Sequence, residues 1–177
     1  MTEKTLSSEY IYKGKIMNVR RDEVECQDGR KSIREVCEHC DAVAVLPVTK
    51  DKKVVLVSQF RYPFLKVICE APAGKMEDGE DPLECARREM SEETGYDAED
   101  MTYFGFIYPS PGCFTERVHL YLAENLKPGE AHPDEGEFLE VSHVDLKDAV
   151  GMIDDGEISD AKTVVLIMRA AKKYGLL

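Results

Sequence analysis

The chain has 177 residues and a formal net charge of −12, from 35 Asp and Glu against 23 Lys and Arg. That length suits one domain with a proper core, and 43% hydrophobic residues with 33% charged is globular composition rather than disorder. So acidic a chain repels nucleic-acid phosphates, which argues against duplex binding, although metal ions can reverse the local charge for a small phosphate ester.

Residues 1–40 read as a small subdomain of short strands. Tyr10–Tyr12 and Ile16–Val19 flank Lys13-Gly14-Lys15 as strand, turn and strand. Asp28-Gly29 supplies hairpin chemistry before a returning strand over Ile33–Val36. These strands offer little core of their own and must pack on something else.

From Asp41 onward the pattern changes to that of a main domain, residues 41–177. Ala42–Val48 is a nearly unbroken apolar run, as a strand buried on both faces would be. Asp51-Lys52-Lys53 turns the chain, and Val54–Val57 answers it. Val67–Cys69 is a further short strand. Asp81 can cap a helix with Pro82 at its first position, Glu84 at capping-box spacing and Gly95 at its stop. Strands are expected over 101–108, 118–123 and 138–141, with loops over 109–116 and 126–136. Helices are expected near 145–154 and 161–174. The pattern is α/β or α+β, a mixed sheet with helices packed on it. No apolar run approaches the ~20 residues that span a bilayer. The first residues lack a secretory h-region. A cytoplasmic protein with mostly free thiols is therefore expected.

The capped helix carries the most chemistry. At about 100° per residue, Glu89, Glu92 and Glu93 share one arc, while Leu83, Ala86 and Met90 share its neighbour. Like charges one turn apart repel. Hard divalent cations such as Mg²⁺ want oxygen ligands of this kind, whereas the bland reading is a solvated acidic face.

The helix lies within Gly74-x5-Glu80-x7-Arg88-Glu89-Met90-x-Glu92-Glu93-x-Gly95-Tyr96, which resembles the Nudix box at every position. The match fixes separated positions over 23 residues, so chance agreement is remote. The resemblance implies the Nudix fold, a mixed sheet between helices with the box as loop-helix-loop. It also implies metal-assisted hydrolysis of a nucleoside diphosphate linked to another group. In such a site Mg²⁺, or Mn²⁺ in its place, would act as two or more ions that neutralise the pyrophosphate and lower the pKa of a bound water. The helix offers Glu89 and Glu93 as first-choice ligands. Glu92 is a further ligand, an orienting neighbour or an alternative base. By the resemblance, the carbonyl of Ala73 is an additional ligand. Arg88 would orient glutamates, and Glu80 would tie down the loop before the helix.

Features outside the box resemble ADP-ribose pyrophosphatases within that family. Ser110-Pro111-Gly112 lies 16 residues past Gly95 at Pro111 and is followed by Glu116. The resemblance gives Gly112 and Glu116 a substrate-binding role, with Glu116 on ribose hydroxyls. The alternative is an ordinary Pro-Gly turn. Gln59-Phe60-Arg61-Tyr62-Pro63 and Cys69-Glu70-Ala71-Pro72-Ala73-Gly74 match the approach to the box. Arg61 is the candidate phosphate clamp, and Glu70 would position Arg61 or a ribose; a surface salt bridge is the plain alternative. In Asp134-Glu135-Gly136-Glu137 the resemblance makes Glu135 the general base and Glu137 an extra metal ligand. The bland reading is an acidic loop. The N-terminal strands resemble a small domain that relatives exchange within a homodimer, where it helps build the adenine pocket. Arg34 would then reach substrate held mainly by the other subunit.

Cys37-Glu38-His39-Cys40 departs from the pattern. Two cysteines and a histidine could begin a zinc site, but four ligands are usual and no second Cys-x-x-Cys exists, so free thiols fit better. The leading function is hydrolysis of ADP-ribose to AMP and ribose 5-phosphate. The alternatives are another nucleoside diphosphate sugar, such as GDP-mannose, and a non-hydrolytic nucleotide sensor. Neither nucleic acid nor membrane is an expected partner.

Overall fold

The computed structural model describes residues 2–134 and 136–177. They divide into two compact units, the first made of Met1–Asp41 with Tyr108–Arg117, the second of Ala42–Ile107 with Val118–Leu177.

In the first unit, β1 (Lys4–Lys13), β2 (Asn18–Glu25) and β3 (Lys31–Glu38) form an antiparallel sheet in that order. The Gly14 N–H closes the first turn onto the Met17 carbonyl, so Ile16 and Met17 are turn rather than the start of the second strand. Gly29 takes φ +80° in the second hairpin, a left-handed conformation that costs glycine nothing. Every residue of β1 is exposed, Tyr10, Ile11 and Tyr12 among them. Residues 113–115 line up beside the end of β3. The Cys37 N–H donates to the Cys113 carbonyl at 2.7 Å, and the Thr115 N–H to the Cys37 carbonyl at 3.1 Å.

The second unit contains β4 (Ala42–Pro47), β5 (Lys53–Arg61), a single 3-10 turn, β6 (Lys66–Glu70), β7 (Ala73–Lys75), α1 (Pro82–Thr94), β8 (Tyr96–Ile107), β9 (Val118–Pro128), β10 (Leu139–Asp145), α2 (Leu146–Asp154) and α3 (Ala161–Lys173). One sheet runs β7-β4-β9-β8, with β4 and β9 parallel and the outer pairs antiparallel. The other runs β10-β5-β6 and is antiparallel throughout. The apolar run of β4 is buried at all six positions. Ala44 and Leu46 join the cluster that includes Leu146 of α2 and Leu166 and Ile167 of α3. Val43 and Val45 join Cys85, Ala86 and Met90 of α1. The sheet is thus covered on both faces, which is why its central strand reads as continuous hydrophobe.

The expected loop over 126–136 begins later than its polarity suggests. Leu126–Pro128 extend β9 and pair with Tyr96–Ala98, so β8 also starts five residues earlier than expected. Pairing supplied by a neighbouring strand overrides weak local propensity here. Likewise β10 runs on from Leu139 to Asp145, registered along β5. Among the described residues, no helix is long and apolar enough to cross a membrane. All six cysteines are free.

Candidate active site

Helix α1 is placed by both its ends. Asp81 accepts hydrogen bonds from the Leu83 and Glu84 N–H groups at 2.9 and 3.4 Å, and Gly95 closes the helix in the left-handed region at φ +72°. A side chain on Gly95 would crowd the Ala131 nitrogen at 2.7 Å, so its bareness lets the 129–132 segment lie against the helix end. The His132 N–H then donates to the Glu92 carbonyl at 2.9 Å. Met90 and Ala86 fasten the helix to the sheet, with full burial of Met90 worth about 1.5–3 kcal/mol.

The neighbouring arc carries the carboxylates. Arg88 is their hub: Nε meets Glu80 at 3.0 Å, and Nη1 meets Glu89 at 2.8 Å and Glu92 at 3.1 Å. Its hydrogen bond holds the Glu80 carboxyl down to about 2, and Glu80 also accepts from the Glu77 N–H, which fixes the loop before the helix. Glu89 leans on the backbone of Gly74. A side chain at Gly74 would fall inside van der Waals contact with the Glu89 carboxyl carbon and both its oxygens. Glu93 is only 5% exposed and accepts from the Ala73 N–H at 3.1 Å. Burial pushes its carboxyl up to about 8, against the Ala73 hydrogen bond and with the charges of Glu89 and Glu137 adding to the rise. Burial raises Glu89 as well, opposed by Arg88 and reinforced by Glu92 and Glu137. Buried carboxylates raised by one another's charge are short of positive charge.

This donor set fits a divalent cation: hard oxygens, a glycine cradle under Glu89, and a buried Glu93 that ionises only at a cost in the metal-free chain. Among the described residues no three His, Cys, Asp or Glu groups already converge as a finished ligand cage. Arg88 holds one oxygen of Glu89 instead. Glu137 is exposed, its N–H bonded to the Asp134 carbonyl at 2.9 Å, and its charge acts on both Glu89 and Glu93. The expected base, Glu135, lies outside the described residues.

Beside the helix, Glu70 at the end of β6 is 3% exposed. It receives Arg61 on both oxygens, Nε to Oε1 at 2.6 Å and Nη2 to Oε2 at 2.9 Å. Lys162 in the first turn of α3 also donates to Oε2, at 2.5 Å. Burial alone would raise Glu70. The Arg61 hydrogen bond and the Lys162 charge outweigh it and hold the carboxyl below its usual range. Arg61 is itself raised, first by its Glu70 hydrogen bond and further by the charges of Glu93 and Asp160.

A family profile described as the NUDIX domain matches residues 38–167. The chain belongs to the Nudix family. It is therefore a Nudix hydrolase, an enzyme of a divalent-metal class, and the carboxylate arc of α1 is its box helix. A second profile, described as the nucleoside diphosphate sugar hydrolase N-terminal domain, matches residues 3–37. An ADP-ribose pyrophosphatase of Bacillus subtilis is 43% identical over 99% of this chain and 96% of its own. A methanol dehydrogenase activator of Bacillus methanolicus is 42% identical over 93% and 90%. A solved structure titled as that of an ADP compounds hydrolase superposes with a TM-score of 0.88, covering 100% and 98% of the two chains at 22% identity. That last likeness speaks for the fold.

Within the Nudix unit the structure brings together Glu89, Glu92, Glu93, Ala73, Arg61, Glu70 and the field of Glu137. Arg34, Gly112 and Glu116 fall in the other unit, each with separate surroundings. There Arg34 donates from Nε to Glu3 at 3.0 Å and from Nη1 to Ser32 at 2.9 Å. Gly112 is exposed in the 108–117 loop, and Glu116 lies 3.5 Å from His39 Nδ1. His39 Nδ1 also meets the Cys40 carbonyl at 2.8 Å. Sequence reasoning passed over Lys162. Its one local signal is Asp160, a helix N-cap two residues earlier, which says nothing about a partner 92 residues away.

Proposed function

We propose that the chain hydrolyses the pyrophosphate bond of ADP-ribose, taking up one water and releasing AMP and ribose 5-phosphate. The reading is carried by the buried Glu93 and its companion Glu89 on the box helix, set against a relative 43% identical along nearly its whole length that is named for this reaction. Glu89, Glu93, Glu137 and the Ala73 carbonyl hold Mg²⁺, or Mn²⁺ in its place, as two or more ions. When bound, the metal neutralises the diphosphate and makes water a nucleophile at neutral pH. Glu135 takes the proton of the attacking water, with Glu92 the second candidate for that role. Arg61 binds phosphate oxygens, held by Glu70. Glu116 and Gly112 engage ribose.

The working unit is a homodimer in which residues 1–40 are exchanged, so that Arg34 of one chain serves the site of the other. The fully exposed β1, with Tyr10, Ile11 and Tyr12 on it, supports a partner for that sheet. Six unpaired cysteines fit a reducing compartment, the cytoplasm.

The test is a panel of nucleoside diphosphate sugars with Mg²⁺, products read by chromatography. ADP-ribose should lead it and yield AMP. A GDP-mannose preference would transfer the chemistry to a GDP-sugar, and a flat panel would leave the substrate class wrong.

A further inference from the structure

We propose that Lys162 is a positioning residue that acts through Glu70 to set the orientation in which Arg61 meets the substrate's diphosphate. The inference rests on the reading above that Arg61 binds phosphate. A planar guanidinium offers two edges to oxygen acceptors. Arg61 spends its Nε–Nη2 edge on Glu70, so the direction of the Nη1 side follows from the plane of that carboxylate.

A buried carboxylate held from one side only can still turn about its last torsion, which is broad and two-fold. Glu70 is held from a second side by Lys162. Lys162 is in turn fixed by Asp160 at 3.1 Å, and its side chain is 16% exposed. Asp160 is no loose partner. It caps α3, accepting from the Thr163 N–H at 3.0 Å and the Thr163 hydroxyl at 2.6 Å. The same Thr163 oxygen, fully buried, accepts from the Ala71 N–H at 2.7 Å. The first turn of α3 therefore grips two consecutive residues, Glu70 and Ala71, of the segment that leads into Ala73 and Gly74.

Charge points the same way. Glu70 and Asp160 carry two negative charges, and Arg61 and Lys162 carry two positive ones. Without Lys162 the group has one excess negative charge, and Glu70 draws on Arg61 alone, so the guanidinium is held to Glu70 and offers less of its charge to phosphate. That change weakens the grip of Arg61 on phosphate without touching the step in which water attacks.

The experiment pairs kinetics with a chemical probe on the full chain with Mg²⁺. K162M should raise KM for ADP-ribose about tenfold and leave kcat within about twofold, the pattern of lost ground-state binding. K162R, which keeps the charge, should recover most of the loss. In an R61Q background K162M should add less than about twofold, since its effect passes through Arg61. An undiminished loss in that background would mean Lys162 meets the substrate itself and would overturn the positioning role. The second readout is the rate at which phenylglyoxal, an arginine-selective reagent, labels Arg61, read by peptide mass. K162M and the shorter K162A should change that rate at least threefold, and K162R should restore it. Unchanged labelling in a folded variant overturns the proposal whether or not any nucleotide sugar is cleaved. A wild-type enzyme inactive on the whole panel would instead refute the substrate reading and leave the labelling result standing.

Discussion

The two units bury their strands in opposite ways. In the Nudix unit, β4 is buried at every position, and its neighbours contribute Leu56, Leu120 and Leu122 to the same interior. In the N-terminal unit, Val24 alone among the described apolar residues is buried, and all ten residues of β1 are exposed. A three-stranded sheet needs an apolar face against something for independent stability. The difference separates a body packed around its own core from a sheet whose apolar residues are largely exposed. The proposed site residues follow the same division: the α1 carboxylates and Arg61 belong to the Nudix unit, while Arg34, Gly112 and Glu116 belong to the unit with the exposed sheet.

The largest expected effect strikes the Nudix unit. E93Q or E89Q should lower turnover by at least about two orders of magnitude, as removal of a principal electrostatic group does, with the circular dichroism spectrum unchanged. Near-normal turnover at saturating Mg²⁺ would remove them from the ligand set. Glu93 adds a stability signature. Its metal-free carboxyl is raised from 4.5 to about 8. The stability that comes from keeping it neutral is fully present below about pH 4.5 and is lost as pH rises through about 8. E93Q is neutral at every pH. The metal-free variant should therefore melt higher than metal-free wild type at pH 9 and nearly level with it at pH 4.5. A wild type that melts as high as E93Q at pH 9 would contradict the buried-acid reading.

E135Q should depress kcat far more than it changes KM, because a base acts in the chemical step. Full activity would move the base to Glu92 or another loop carboxylate. If the proposed exchanged dimer forms, deleting residues 1–40 should leave a monomer and lose ADP-ribose binding together while α1 keeps its helicity. Sedimentation and calorimetry read both, and a truncated chain that still dimerises would break the contrast between the units. The smallest effect is that of D81A, which removes two capping bonds from α1 and should cost about 1 kcal/mol in chemical denaturation. No loss would mean that packing of Met90 and Ala86 alone sets the helix start.

The box was legible because its demands are local. Gly74, Arg88 and the three glutamates act across one loop and one helix, and Asp81 and Gly95 announce its ends. The β4 run likewise told of a strand covered on both faces. Other features depend on neighbours that local sequence does not name. The strand ends at Tyr96 and Pro128 exist because β8 and β9 pair there. The alignment of 113–115 with Cys37 joins segments some 76 residues apart. The Lys162–Glu70 pair spans 92 residues, and a lysine after a capping aspartate looks like any solvated helix start.

The central claim, that the α1 carboxylates form a metal site completed by ionised Glu93, is tested most directly by calorimetric titration of Mg²⁺, with Mn²⁺ in parallel, at pH 6 and pH 8.5. Binding must release the Glu93 proton below about pH 8. Wild-type affinity should rise roughly a hundredfold between the two pH values, with close to one proton released per site at pH 6. E93Q should bind weakly at both. Equal wild-type affinity at the two pH values without proton release, or E93Q binding as tightly as wild type, would contradict the account.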